Sequence, residues 1–241
     1  MPSQELLILA VTKMLGGICI AGMTSEPDPV TRLRWVRPIR DYGHVLLGDI
    51  TTPDNVVVCP FDVVEFNLLQ PKPTPPHTED WIADFVRHRP RIVRCLEGER
   101  RTTFLQTYLD TAPRQVLASQ QRSLCLVRPD RIKGCFRLDP YSGSYDARMA
   151  FGLEGHTYRG SYARGGFSVT DLKWRALGRA WLPDEGGWTE FESGDLEARF
   201  GIQEIYLAVG LTRSYQGSFW PIVVGVHTVP DYPATVDYDN M

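Results

Sequence analysis

Arg32-Leu33-Arg34-Trp35-Val36-Arg37-Pro38 is a strand-length stretch that mixes arginine, tryptophan and aliphatic residues. Leu33 and Trp35 fall on one face and Arg32, Arg34 and Val36 on the other, as the two-residue period of a strand requires. An apolar run over residues 6–23, broken by Lys13 and Gly16-Gly17, leads into it. The second half repeats this outline: Ser123-Leu124-Cys125-Leu126-Val127-Arg128-Pro129 leads on to Ser168-Val169-Thr170-Asp171-Leu172-Lys173-Trp174-Arg175. Both halves read as short strands carrying arginine and tryptophan, separated by turn residues. The pattern predicts two small β-barrels in tandem, in a chain that is mostly β and α+β overall.

Residues 1–70 carry five or so strand candidates and are predicted to form the first barrel. Gln70-Pro71-Lys72-Pro73-Thr74-Pro75-Pro76-His77 then places four prolines in eight residues, which can continue neither a helix nor a central strand. Thr78-Glu79-Asp80 reads as a helix start, with Trp81, Ile82 and Phe85 as its apolar face. Residues 101–109 and 114–118 also read as helical, so 71–119 is predicted to be a proline-rich arm and a helical connector. Residues 120–230 form the second predicted barrel. Within it, 183–194 reads as an acidic inserted loop and 212–219 as a polar loop with Gly217 at its tip. Residues 231–241 make an acidic tail, expected to be loosely ordered.

With 43% hydrophobic and 23% charged residues, the 241-residue chain has the composition of an ordinary globular protein. No stretch reaches the roughly 20 apolar residues of a membrane span. No basic region precedes the first apolar run, so a signal peptide is not expected and a cytoplasmic location is. The five cysteines (Cys19, Cys59, Cys95, Cys125 and Cys135) are dispersed without a CxxC, which fits reduced core thiols. The five histidines have no ligand spacing, and neither a metal nor another cofactor is expected.

The net charge of −3 conceals an asymmetry, because residues 87–181 hold 18 Lys and Arg against 8 Asp and Glu. A basic middle of this kind fits an anion-binding surface, and it equally fits solvated charges in an arginine-preferring chain. Arginine supplies 22 of the 26 basic residues, and its planar fork suits phosphates and stacks on bases. A basic groove with aromatic faces is what single-stranded nucleic acid requires. The candidate phosphate contacts are Lys13, Arg34, Arg37, Arg159, Arg164, Lys173 and Arg175, and the candidate stacking residues are Tyr158, Tyr162 and Trp174. Plainer readings stand beside several of these features. Trp35 pairs with Leu33 as core, Lys13 can belong to a turn, and Asp171 can be a helix cap or an ion-pair partner of Arg175. No GxSxG, Walker A loop, GxGxxG or converging acid motif is present, so no catalytic residue is assigned and an enzyme is not expected.

Lys13 with Gly16-Gly17, Cys19, Ala21-Gly22, Trp35-Val36-Arg37-Pro38, Asp62-Val63-Val64-Glu65 and Val169-Thr170-Asp171-Leu172-Lys173-Trp174 resemble the corresponding segments of bacterial dual OB-containing domain proteins. The resemblance runs from about Leu6 to Pro230. It implies two OB folds joined by a connector and a nucleic-acid or nucleotide-binding role, in settings that include defence. It supplies no catalytic residues. The sequence reading is therefore a binder of single-stranded DNA or RNA. The alternatives are a protein-interaction module that uses the acidic tail or proline arm, or a nucleotide-binding or small-ligand-binding subunit.

Overall fold

A computed structural model describes residues 3–14, 16–29, 31–160, 165–183, 185–236 and 238. The chain divides into two compact units, Met1–Tyr108 with Arg114–Leu124 and Leu109–Pro113 with Cys125–Met241.

The first unit contains β1 (Gln4–Met14), β2 (Gly17–Met23), β3 (Trp35–Ile39), β4 (Asp62–Phe66), β5 (Leu68–Pro71), β6 (Asp80–Ala83) and β7 (Arg91–Cys95), with α1 (Gly98–Thr107) and α2 (Arg114–Leu117). The strand order is β5-β6-β3-β2-β1-β4-β7. Only Asn67 separates β4 from β5, and its carbonyl accepts the Asp84 amide at 3.0 Å, so the two segments act as one bent strand. That strand pairs with β1 through β4 and with β6 through β5, which curls the sheet back on itself. β3 and β6 pair in parallel, and the pairs β1–β2, β2–β3 and β1–β4 are antiparallel. Reading β4 with β5 as the fourth strand and β6 as the fifth gives the cyclic order 1-2-3-5-4-1 of a five-stranded Greek-key barrel. β1 serves both neighbours by changing partner near its middle, where a register shift falls between Ile8 and Ala10. Leu6, Ile8, Ile20, Val36 and Val64 are completely buried and fill the interior.

The second unit repeats the scheme. Its elements are β8 (Leu124–Val127), β9 (Arg131–Leu138), β10 (Tyr145–Leu153), β11 (His156–Tyr158), β12 (Phe167–Ser168), α3 (Leu172–Trp181), β13 (Gly187–Glu192), α4 (Ser193–Phe200), β14 (Glu204–Leu211) and β15 (Pro221–Val229). β8 pairs with β14, β9 with β10, β10 with β12 and β14 with β15. Val169 joins β15 through a parallel bridge to Val223. Taking β8 and β9 as one interrupted first strand, the circuit is again 1-2-3-5-4-1, with α3 between the third and fourth strands. Phe136, Trp174, Phe191 and Tyr232 build an aromatic core, in which Phe136 stacks on Phe191 at 4.8 Å and Trp174 meets Tyr232 edge-on at 5.3 Å.

Four stretches differ from the sequence reading. Trp81 and Ile82 lie in β6 and pair with β3, so 71–119 is not simply an arm and helical connector: it also supplies β6 and β7. A four-residue segment carries no period long enough to separate helix from strand. The acidic stretch 183–194 contains β13, which pairs with β9 along its length. Residues 172–175 open a helix rather than continue a strand, because the Asp171 carboxylate caps it by accepting the Trp174 amide at 2.8 Å. The start of the acidic tail is packed, with Tyr232 buried and its hydroxyl donating to the Val226 carbonyl at 3.2 Å.

Candidate nucleic-acid interface

β9 alternates strictly. Ile132 and Phe136 point into the barrel, while Arg131, Lys133, Cys135 and Arg137 point out. Cross-strand partners share a face, so register places Gly152, Ala150, Arg148 and Asp146 of β10 beside these four in turn. β13 supplies Glu192 beside Lys133, Glu190 beside Cys135 and Trp188 beside Arg137. The result is an open groove of about 1360 Å³ over three strands, to which Thr157, Arg159, Gly165 and Gly166 also contribute. Ala150 and Gly152 give it depth, because no long side chain rises from them. Gly166 lies at φ 135° with its α-carbon against the Met149 backbone, where an added Cβ would come within 2.3 Å of the Met149 carbonyl carbon.

The electrostatics of this face are mixed. Arg148 pairs with Asp146 at 2.7 Å, Arg137 with Asp139 at 3.9 Å and Lys133 with Glu190 at 4.0 Å. Arg131 is exposed and has no carboxylate within ion-pair distance among the described residues. Burial, reinforced by the charges of Asp146 and Glu190, pushes the Cys135 thiol above its usual value, away from the thiolate form. Trp188 is 65% exposed at the rim. The loops of the same unit carry further exposed rings, Tyr141 between β9 and β10, and Tyr215 and Trp220 between β14 and β15.

The sequence-predicted site residues are dispersed. Arg159 is exposed and lines the groove. Tyr158 is half-buried with its ring stacked on Phe151 at 5.3 Å, on the core side of β10. Trp174 is fully buried and offers no face to a base, a correction to the expected stacking role. Lys173, on α3, pairs with Asp231 at 2.6 Å and sits over the Tyr232 ring. Arg175 is half-buried, donating to the carbonyls of Tyr145 at 3.3 Å and Val169 at 3.4 Å. Tyr162 and Arg164 lie outside the described residues.

In the first unit, Lys13 is exposed near the end of β1. Arg34 hydrogen-bonds the Ser25 carbonyl and lies over the Tyr108 ring at 5.0 Å. Arg37 is 7% exposed and bonds Asp80 at 2.6 Å, with Glu79 at 3.3 Å, so it is not placed to meet a phosphate. Burial opposes its charge, but the fields of the nearby carboxylates more than offset this and raise its pKa further.

Sequence reasoning did not single out Arg131, Lys133, Arg137 and Trp188 of this groove. The missed signal is the alternation Arg131-Ile132-Lys133-Gly134-Cys135-Phe136-Arg137, with a basic residue at three of the four outward positions.

Among the described residues, no group of three or more His, Cys, Asp or Glu side chains is placed to hold a metal ion. No helix among them is long and apolar enough to cross a membrane. Neither a curated protein nor a solved structure matches the chain. The family model described as dual OB-containing domain matches residues 4–226, and with both barrels tracing the OB strand circuit, the chain belongs to that family.

Proposed function

We propose that the protein is a non-catalytic binder of single-stranded nucleic acid and that the β9–β10–β13 groove of the second barrel is its main contact surface. The observation that carries this reading is the groove itself. It lies on the first two strands of an OB barrel and is lined in part by the loop joining them; that loop and the one joining strands 4 to 5, through which OB folds take oligonucleotides, carry exposed aromatic residues. Bases stack on exposed rings, and among the described residues that line the groove Trp188 presents an exposed ring, whereas Phe151 is buried. Arg131 and Arg159 reach the backbone. Lys133, Arg137 and Arg148 exchange an internal carboxylate for a phosphate, which makes their contribution smaller than their number implies.

The test is fluorescence anisotropy with labelled single-stranded DNA and RNA of mixed sequence at 50 mM salt. Trp188→Ala should weaken binding by roughly 5- to 150-fold, the equivalent of about 1–3 kcal/mol for one stacked base. Absence of binding to any single strand at low salt would falsify the reading. The internal pairing of three groove cations also fits a nucleotide-sized ligand. In that case a mononucleotide would compete at a concentration close to its own dissociation constant, and lengthening the oligonucleotide would add no affinity.

A further inference from the structure

The turn between β6 and β7 lies outside the five-strand circuit of the first barrel, and it is built to hold two arginines in solvent. Phe85 is buried at its start and meets Phe66 edge-on at 6.3 Å. Pro90 is buried at its end. Between them the Asp84 carboxylate accepts the Arg87 amide at 3.0 Å and lies 3.0 Å from Nδ1 of His88, which is also 3.0 Å from the Asn67 side-chain nitrogen. These contacts fix the backbone and the imidazole and leave Val86, Arg87 and Arg89 projecting. Val86 is 84% exposed, and both arginines are exposed. Neither arginine has a carboxylate within ion-pair distance among the described residues. On the adjoining strand, Arg91 and Arg94 are each paired, with Glu65 and Glu5.

We propose that Arg87 and Arg89 form a second anion-contact site, on the first barrel, which grips the phosphate backbone of a bound single strand without reading its sequence. This rests on the nucleic-acid reading above. A guanidinium with no carboxylate partner gives up no internal ion pair when it meets a phosphate, and a turn pinned at both ends loses little backbone entropy on binding. A lone exposed valine, with its neighbour Phe85 buried, gives little purchase on a lipid bilayer, so phosphate in a nucleic-acid backbone is the favoured partner.

The experiment compares the full-length protein with Arg87→Ala/Arg89→Ala and, separately, Arg131→Ala, using oligonucleotides of several sequences from 50 to 500 mM salt. Each lost single-strand phosphate contact removes about 0.7 from the slope of log affinity against log salt, so the double variant should lose roughly 1.4. Referred to 1 M salt, that is a loss of about 60-fold at 50 mM and about fivefold at 300 mM, equal for every sequence. The melting temperature should not change, because neither side chain holds the fold.

If the wild type binds, Arg131→Ala weakens it and the double variant leaves both affinity and slope unaltered, the turn is not a contact and the inference falls while the groove reading stands. If no single strand binds the wild type, both fall. Vesicles of phosphatidylserine and phosphatidylcholine form a third arm. Vesicle binding that is lost in the double variant while oligonucleotide affinity is retained would overturn the assignment in favour of a membrane surface.

Discussion

Replacing Arg37 with methionine should cost the first barrel stability and should leave nucleic-acid affinity nearly unchanged. Arg37 lies opposite Asp80 in the parallel β3–β6 pair, with its Nε on Asp80 Oδ1 at 2.6 Å and Glu79 at 3.3 Å from its outer nitrogen. Glu79 and Asp80 are 1% and 2% exposed, and Ser123 donates to Glu79. Methionine fills much of the volume but leaves two buried carboxylates without their cation, a loss of about 3–5 kcal/mol. For a unit of this size that lowers the melting temperature by about 10–25 °C.

The deficit must also depend on pH. Burial opposes ionisation of Glu79, but His77 at 3.8 Å, the hydrogen bond from Ser123 and the charge of Arg37 outweigh it and hold the carboxyl below its usual value. A depressed folded pKa contributes stability that is present above the unfolded value, about 4.5, and lost as pH falls through the folded one. Without Arg37 burial gains weight, so the variant takes up a proton at higher pH than the wild type and the gap between the two proteins narrows as pH falls. Calorimetry from pH 4 to 8 measures this directly. A variant that melts within 2 °C of the wild type at pH 7 yet binds oligonucleotides tenfold more weakly would refute the argument and return Arg37 to the ligand surface.

Three other substitutions test the second barrel. Asp171 accepts the Trp174 and Val226 amides with its two oxygens, both at 2.8 Å, and burial pushes its carboxyl up to about 6. A raised folded pKa means that the ionised group costs stability above pH 6 and that the cost is relieved as pH falls toward 3.8. Asp171→Asn should abolish that gain on acidification, and it should lose about 1–3 kcal/mol at pH 7 because an amide has one acceptor for two donors; denaturant melts at several pH values measure both effects. Gly178→Ala in α3 ought to stabilise an ordinary helix by about 1 kcal/mol. Here the new methyl would come within 2.2 Å of Phe136 and of the Tyr145 hydroxyl, so a net loss of about 1–3 kcal/mol is expected in chemical unfolding. Trp174→Phe should lower stability without affecting oligonucleotide affinity, which anisotropy and melting measured together will separate.

Where the chain follows strand chemistry over seven or more residues, the fold was legible. β1, β2 and β10 announce themselves by long apolar or alternating runs, and Trp35, read as core, is 4% exposed in β3, whereas Leu33 precedes the strand and is half-buried. Short elements were not legible. β6 has four residues, and its place is set by Arg37, Asp80 and the pairing with β3, none of which is visible from the local sequence. α3 was readable only through Asp171, whose capping role outweighs the β-branched pair Val169-Thr170 just before it.

The site was harder to read because charge composition does not say which charges are already engaged. The basic excess of residues 87–181 was real, yet Arg148 and Arg137 have carboxylates from the same sheet face or the adjoining loop, and Lys133 has one from β13, a strand read as an acidic loop. The acidic stretch and the basic stretch are two halves of one surface. An opposite charge at the neighbouring register position takes up much of an arginine's field, so the cations that matter most for a polyanion are those whose neighbours on the sheet are small, or which leave the sheet altogether. Arg131 beside Gly152, and Arg87 and Arg89 on a pinned turn, meet that condition, whereas Arg37, in the most conspicuous basic stretch of the sequence, lies between two acids in the first barrel.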